Sequence, residues 1–338
     1  MRGVLRVLVL KVRTVRTVPV LKVLTVLVAL AGAIVLSGCA PAPVRVTVPG
    51  SVSRGTAITL RVQVREGAAL VVRQVPLEEY VAAAALSEVH PAAGNDALAS
   101  RIFEVQSVIA RTYAVSNRGR HSRDGFDLCS TTHCQLYEPS RVQGSRWAAL
   151  VREATRRTSG DLLWFAGTPA RTVFHADCGG HTSNAAAVWG GVAPAYLSGR
   201  RDDAAEGAHT EWIYDVGREA LRTALNTDAR TAVGAKLDTV EIAGRDAAGR
   251  AEQIVLRGTR TFIVRGEAFR EVVTRQLGVK TLRSTLFSVK KSGAGFAFSG
   301  RGFGHGVGLC QAGAIARLRG GDSPEKVLSY YFPGTSLH

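Results

Sequence analysis

One stretch of this chain is set apart from any folded core. Residues 1–38 carry six basic side chains (Arg2, Arg6, Lys11, Arg13, Arg16, Lys22) and no acid. The last sixteen of them, Val23 to Gly38, are uncharged and rich in Val, Leu and Ala. A basic lead, an apolar run and small residues at its end read as a secretory signal peptide. The run is short for a spanning helix. It ends in Leu36-Ser37-Gly38-Cys39, a lipobox-like sequence, so cleavage is expected before Cys39, with lipid added to that residue. The expected division is a leader at 1–38, a Pro-rich tether at 39–43, and a folded domain at 44–338. The lipid would place that domain in the cell envelope, on the outer membrane facing the periplasm if the host has one.

Without the leader, the formal charge of +16 falls to 16 − 6 = +10. The basic residues are scattered and form no run of five or six. This pattern suits a solvated surface facing an anionic wall better than a nucleic-acid groove. The glycines of 300–308 do not fit G-x-G-x-x-G, and the chain has no Gly-Lys pair for a phosphate loop, so no nucleotide is expected.

Periodicity predicts a mixed α+β fold around a groove. Strands are expected at 44–48, 58–64 and 70–75. A helix should run from Leu77 to about Val89, with Pro76 before it, and a second from Asp96 to about Ser116 behind an Asn95 cap. A third helix is expected from Ser140 to about Gly160, then strands at 162–165 and 170–175. A second α/β subdomain is inserted around 200–290, with strands near 237–243, 252–257 and 260–265 and a helix near 267–277. Helices at 307–319 and 323–332 finish the chain.

Two kinds of chemistry stand out. Leu77, Val81, Ala84/Ala85 and Glu88 share one helix face, which puts Glu88 on the core side of a helix C-terminus. Burial and the helix dipole both raise a carboxyl pKa there, as a general acid requires. Cys129, His133 and Cys134 gather three soft ligands within six residues, and His175, Cys178 and His181 gather three within seven. The first cluster reads as a structural zinc site or as a disulfide, and the residues leave both open.

Four segments in order resemble the stage II sporulation protein D family (SpoIID/LytB). They are Val75-Pro-Leu-Glu-Glu-Tyr80 running to Glu88; Gln106-Ser-Val-Ile-Ala-Arg-Thr-Tyr-Ala114; Phe174-His-Ala-Asp-Cys-Gly-Gly-His-Thr182 with Val188-Trp-Gly-Gly191; and Gly302 to Ala314 with Tyr330-Tyr-Phe-Pro-Gly334. The loop Asp127–Tyr137 is similar to the family's central loop. The resemblance implies a lytic transglycosylase that cleaves MurNAc–GlcNAc bonds of peptide-stripped peptidoglycan, with Glu88 as its one acid/base. It implies that Arg111 supports activity and that Cys129, His133 and Cys134 hold zinc. Arg111, Tyr137, His175, Tyr196, His305 and Gln311, in or beside these motifs, are expected to contact the glycan. A non-catalytic module that enhances a cell-wall amidase is the alternative role. The chain departs from the family at Glu88-Val-His-Pro91, where Glu-Met-Pro is usual, and at Glu104, where Lys is common.

Overall fold

The computed structural model describes residues 58–204 and 209–338. The leader, Cys39, the tether and the strand expected at 44–48 lie outside the described residues. Among the described residues no helix is long and apolar enough to cross a membrane.

The chain forms a mixed α+β structure with two separate hydrophobic cores. It begins with the antiparallel pair β1 (Thr59–Glu66) and β2 (Ala69–Pro76), which runs directly into α1 (Leu77–Glu88). Then come α2 (Asp96–Ser116), β3 (Leu128–Cys129), α3 (Pro139–Gly144) and α4 (Ala148–Arg157). Short strands follow: β4 (Leu163–Phe165), β5 (Thr168–Pro169), β6 (Phe174–His175) and β7 (His181–Thr182). Next are α5 (Ala185–Trp189) and β8 (Arg200–Arg201). An inserted lobe runs through β9 (Glu211–Gly217), α6 (Arg218–Leu225), β10 (Leu237–Arg245), β11 (Ala251–Gly258), β12 (Thr261–Arg265), α7 (Gly266–Leu277), β13 (Phe287–Ser292) and β14 (Gly295–Arg301). The chain returns through β15 (Leu309–Cys310), α8 (Gln311–Arg319), α9 (Pro324–Tyr331) and β16 (Ser336–Leu337).

The first core joins residues 60–197 to residues 307–332, and the second lies wholly within 212–298. The insertion expected around 200–290 is thus a lobe with its own apolar centre. It is built on the meander β10-β11-β12 and on the sheet β13-β14-β9. α7 occupies the expected 267–277 almost residue for residue. α6, β9 and β13 were not anticipated.

Local chemistry explains most boundaries. The Asn95 side chain accepts from the Leu98 amide at 2.8 Å and starts α2. The Ser323 hydroxyl does the same for α9, from the Lys326 amide at 3.3 Å. The single helix expected over 140–160 is two, because Ser145 turns extended (φ −87°, ψ 137°) and breaks the ladder. The strand expected at 170–175 shrinks to Phe174–His175, which pairs in parallel with β15. The last long helix begins at Gln311, four residues later than expected, since Gly302, Gly304, Gly306 and Gly308 all take positive φ. At Gly308 this is enforced from outside: a Cβ there would collide with the Val173 carbonyl.

α1 is buried on nearly every side, with Leu77 and Tyr80 to Ser87 all inside. A helix apolar all round belongs in the middle of a core. Its N-terminal end is tied to α2 by Arg111, which is 1% exposed. That guanidinium donates to both Glu78 oxygens at 2.8 and 2.6 Å, to the Thr155 carbonyl at 3.2 Å and to the Asp161 carbonyl at 3.3 Å. Arg111 therefore braces α1, α2 and the end of α4, and does not reach a groove as a glycan contact would. Replacing it strands buried carbonyls. Arg111→Leu should lower the unfolding free energy by roughly 3–5 kcal/mol in urea titrations. Glu78→Gln, on a more open side chain, should lower it by under about 1 kcal/mol. Equal losses would contradict the asymmetry.

Candidate active site

Glu88 is the last residue of α1, and Val89 after it is extended. The carboxyl faces the loop from the central motif, and the Leu136 amide donates to its Oε1 at 2.7 Å. One residue earlier, the Ser87 hydroxyl accepts from the Glu138 amide at 3.0 Å and donates to the Ala83 carbonyl at 2.8 Å. Residues 135–138 are thereby docked on the C-terminal end of the helix. Tyr80, two turns before Glu88, stacks on Tyr137 with centroids 5.1 Å apart. From the far end of the chain, Gln311 Nε2 donates to the Glu88 carbonyl at 3.3 Å and to Gln106 Oε1 at 3.4 Å.

Burial raises the Glu88 pKa to about 7, against the opposing pull of the Leu136 amide. No ion pair to its carboxyl is found among the described residues. The expected direction is right, but its origin is simpler than a stripe facing inward. The whole C-terminal half of α1 is enclosed, so desolvation falls on whatever acid ends it. At neutral pH the group is about half protonated and can both give and take a proton.

The expected site residues divide. Tyr137 and Gln311 stand beside Glu88. Tyr196 is buried, with its ring 4.8 Å from Phe165 and its hydroxyl accepting from the Arg171 amide at 2.8 Å, so it is a core tyrosine. His175 is buried and donates Nδ1–H to the Val307 carbonyl at 3.1 Å. His305 accepts from the Val307 amide at 3.0 Å and lies between His175 and Trp189, at centroid distances of 5.5 and 5.1 Å. Burial pushes the His175 pKa well down and the His305 pKa to about 4, so both rings are neutral at pH 7. Trp189 closes this row of rings and is 40% exposed. Asp177, a buried carboxylate, has both oxygens engaged. They accept from His209, the Gly179 amide and the Thr210 amide at 2.7–2.9 Å. Glu104 is paired with Arg157 at 2.6 Å across α2 and α4.

The central loop brings together four side chains able to ligate a metal, where the sequence pointed to three. Cys129, His133 and Cys134 are joined by His121, and one ligand atom from each lies within 4.8 Å of the others. His121 Nε2 is 3.3 Å from Cys134 Sγ, while its Nδ1 faces Asp124 at 3.4 Å. A carboxylate on the far nitrogen is the usual support for a ligating imidazole. His121 lies eight residues before Cys129, outside the compact motif, and it reaches the site because residues 117–128 fold back. The two thiols are free. A hydrogen bond from Cys134 lowers the Cys129 pKa, and the same contact raises that of Cys134. Two sulfurs and two imidazoles suit a tetrahedral zinc ion.

Residues 65–165, which hold α1, α2, Glu88 and the four-ligand loop, match the family described as SpoIID, stage II sporulation protein. Residues 203–308, which contain the inserted lobe, match a domain of unknown function, DUF8618. The stage II sporulation protein D of Bacillus subtilis is 26% identical, over 79% of this chain and 75% of its own length. That of Bacillus amyloliquefaciens is 27% identical over the same shares. A Bacillus subtilis amidase enhancer is 27% identical over 70% of this chain, and the match spans 37% of that longer protein. The segment around Glu88 thus matches the SpoIID family, and over most of its length the chain is similar to stage II sporulation protein D.

Proposed function

We propose that this chain is a cell-envelope lytic transglycosylase that cleaves MurNAc–GlcNAc bonds in peptide-stripped glycan strands. The supporting observation is the Glu88 carboxyl, half-buried, held by one backbone amide, and titrating near neutrality. The protonated acid gives its proton to the glycosidic oxygen as the bond to the anomeric carbon breaks. The C6 hydroxyl of the same muramic residue then bonds to that carbon. Its proton passes to the Glu88 carboxylate, which restores the acid. No water is consumed, and the product ends in 1,6-anhydro-muramic acid. The attack is intramolecular, so one carboxyl suffices where a hydrolase needs two. The engagement of Asp177 by three donors favours this reading over a two-acid glycosidase.

Zinc at His121, Cys129, His133 and Cys134 would have a structural role. It would fix the loop whose next residues supply the Leu136 amide and Tyr137 to the site. Lipid on Cys39 would hold the enzyme at a membrane, and the net positive charge would draw it to anionic wall. The amidase enhancer among the relatives supports a second reading, in which the same groove presents glycan to a cell-wall amidase.

Glu88→Gln keeps the shape and removes the transferable proton. Turnover of peptide-free glycan strands should fall about 10²–10⁴-fold while binding survives. Full activity in the mutant would end the assignment, and a product carrying solvent oxygen would mean hydrolysis.

The same change has a thermodynamic signature. The folded pKa of about 7 lies above the unfolded value of 4.5. The folded chain therefore holds its proton more tightly, and that stability is complete below about pH 4.5 and lost as pH rises through 7. Glu88→Gln should match wild type at pH 4 and exceed it by roughly 1–3 kcal/mol at pH 8, as read by chemical denaturation. Equal stability at both pH values would show that the carboxyl is not desolvated.

His121→Ala or a strong chelator should release zinc, lower the melting temperature and reduce turnover. Unchanged activity in demetallated protein would remove the loop from the argument.

A further inference from the structure

A second set of soft ligands lies apart from the central loop. We propose that Cys178, Cys310 and His175 bind a second zinc-class ion inside the protein, where β6, β15 and the start of α8 meet. One ligand atom from each of the three lies within 4.8 Å of the others. Both cysteines are free and fully buried, and His175 is 4% exposed. His175 and Cys310 are register partners in the parallel pair β6–β15, so their side chains leave the sheet on the same side.

Two features single this cluster out from a packed pair of thiols. The first is His175. Its Nδ1–H is taken by the Val307 carbonyl at 3.1 Å, and its buried Nε2 has no hydrogen-bond partner among the described residues. Fixing one ring nitrogen on a backbone carbonyl leaves the other as a lone-pair donor, the arrangement found behind ligating histidines. A buried acceptor with nothing to accept is costly unless a cation meets it. The second is the supply of amides to the sulfurs. The Cys178 and Gly313 amides point at Cys310 Sγ at 3.2 and 3.4 Å, and the Gly180 amide points at Cys178 Sγ at 3.3 Å. Donors directed at sulfur stabilise thiolates. A disulfide would account for neither the idle nitrogen nor this number of donors.

Charge also balances. Binding releases two thiol protons to solvent, and a divalent ion with two thiolates and a neutral imidazole is neutral overall. Asp202 stands 3.7 Å from Cys178 Sγ, and its own charge is met by Arg317 at 3.5 Å and the Tyr331 hydroxyl at 2.5 Å. The ion would bind the 174–180 turn to the start of α8, whose first residue, Gln311, touches the Glu88 carbonyl.

The test is zinc content of the purified full chain by elemental mass spectrometry, with peptide mapping of the unreduced, denatured protein. Two zinc ions per chain are expected. Cys310→Ser and His175→Ala should each remove one, while His121→Ala removes the other, so the two sites fail separately. Circular dichroism identifies any variant that does not fold. For that case, cobalt substitution of the wild type gives a second reading: sulfur-to-cobalt absorbance should correspond to four Co–S bonds, not two. A single zinc unaffected by Cys310→Ser, or absorbance for two bonds, would overturn the proposal. So would a Cys178–Cys310 linked peptide lighter by two hydrogens, which would establish a disulfide.

Discussion

The hydrogen bond from the Leu136 amide to Glu88 is the contact on which the site depends. It is the point where a helix enclosed by the core meets a loop with almost no regular structure. The helix brings the acid out of water, and that alone raises its proton affinity. The amide keeps the carboxyl in one place without adding a cation that would force it to ionise. An Arg or Lys in the same position would have pulled the pKa the other way. Arg111 is turned toward Glu78 at the opposite end of α1, where it braces the helix without touching the acid.

That division explains what could be read from the residues alone. The acid, its helix and its raised pKa follow from composition and position, because an Ala-rich helix with few polar residues has to be interior. Asn95 and Ser323 mark helix starts through side-chain geometry that is purely local. Roles that depend on long-range contacts were not legible. Arg111 has the sequence context of an active-site residue, yet its partners Thr155 and Asp161 lie more than forty positions away. Tyr196 similarly spends its hydroxyl on a backbone amide. His121 could not be counted with Cys129 and Cys134, since only the fold-back of 117–128 brings it to them. The break at Ser145 has one local signal, Gly144 just before it, and no Pro or periodicity change beside it.

The glycine-rich run shows the same limit from another direction. Positive φ at alternate positions from Gly302 to Gly308 could be anticipated, but the close approaches behind it are long-range: residues 173–179 press on Gly302, Gly304 and Gly308, and the inserted lobe presses on Gly306. Arg250, from the end of that lobe's first hairpin, is 1% exposed. It donates to the Cys178 carbonyl at 2.8 Å and the Gly304 carbonyl at 3.2 Å. A Cβ on Gly306 would occupy the space of its guanidinium. The lobe thus inserts a cation between the two loops that carry His175 and His305, and it satisfies carbonyls that the irregular backbone leaves open.

This gives the inserted lobe a physical part in the site without requiring it to touch substrate. The loops at 174–180 and 302–308 have little regular structure: β6, the strand β15 that follows the second loop, and the bridges Asp177–Phe303 and Ser284–Gly304. Short ladders of that kind hold weakly, and neither loop could fix the buried His175–His305 row unaided. Arg250 supplies charge-assisted bonds from a rigid hairpin, and burial keeps water from competing for them. Its positive charge also helps keep both imidazoles neutral, adding to their desolvation. Loss of the lobe would therefore act on the site first through geometry: the row ending at Trp189 would lose its backing, and Gln311, which follows β15 directly, would lose its alignment with Glu88.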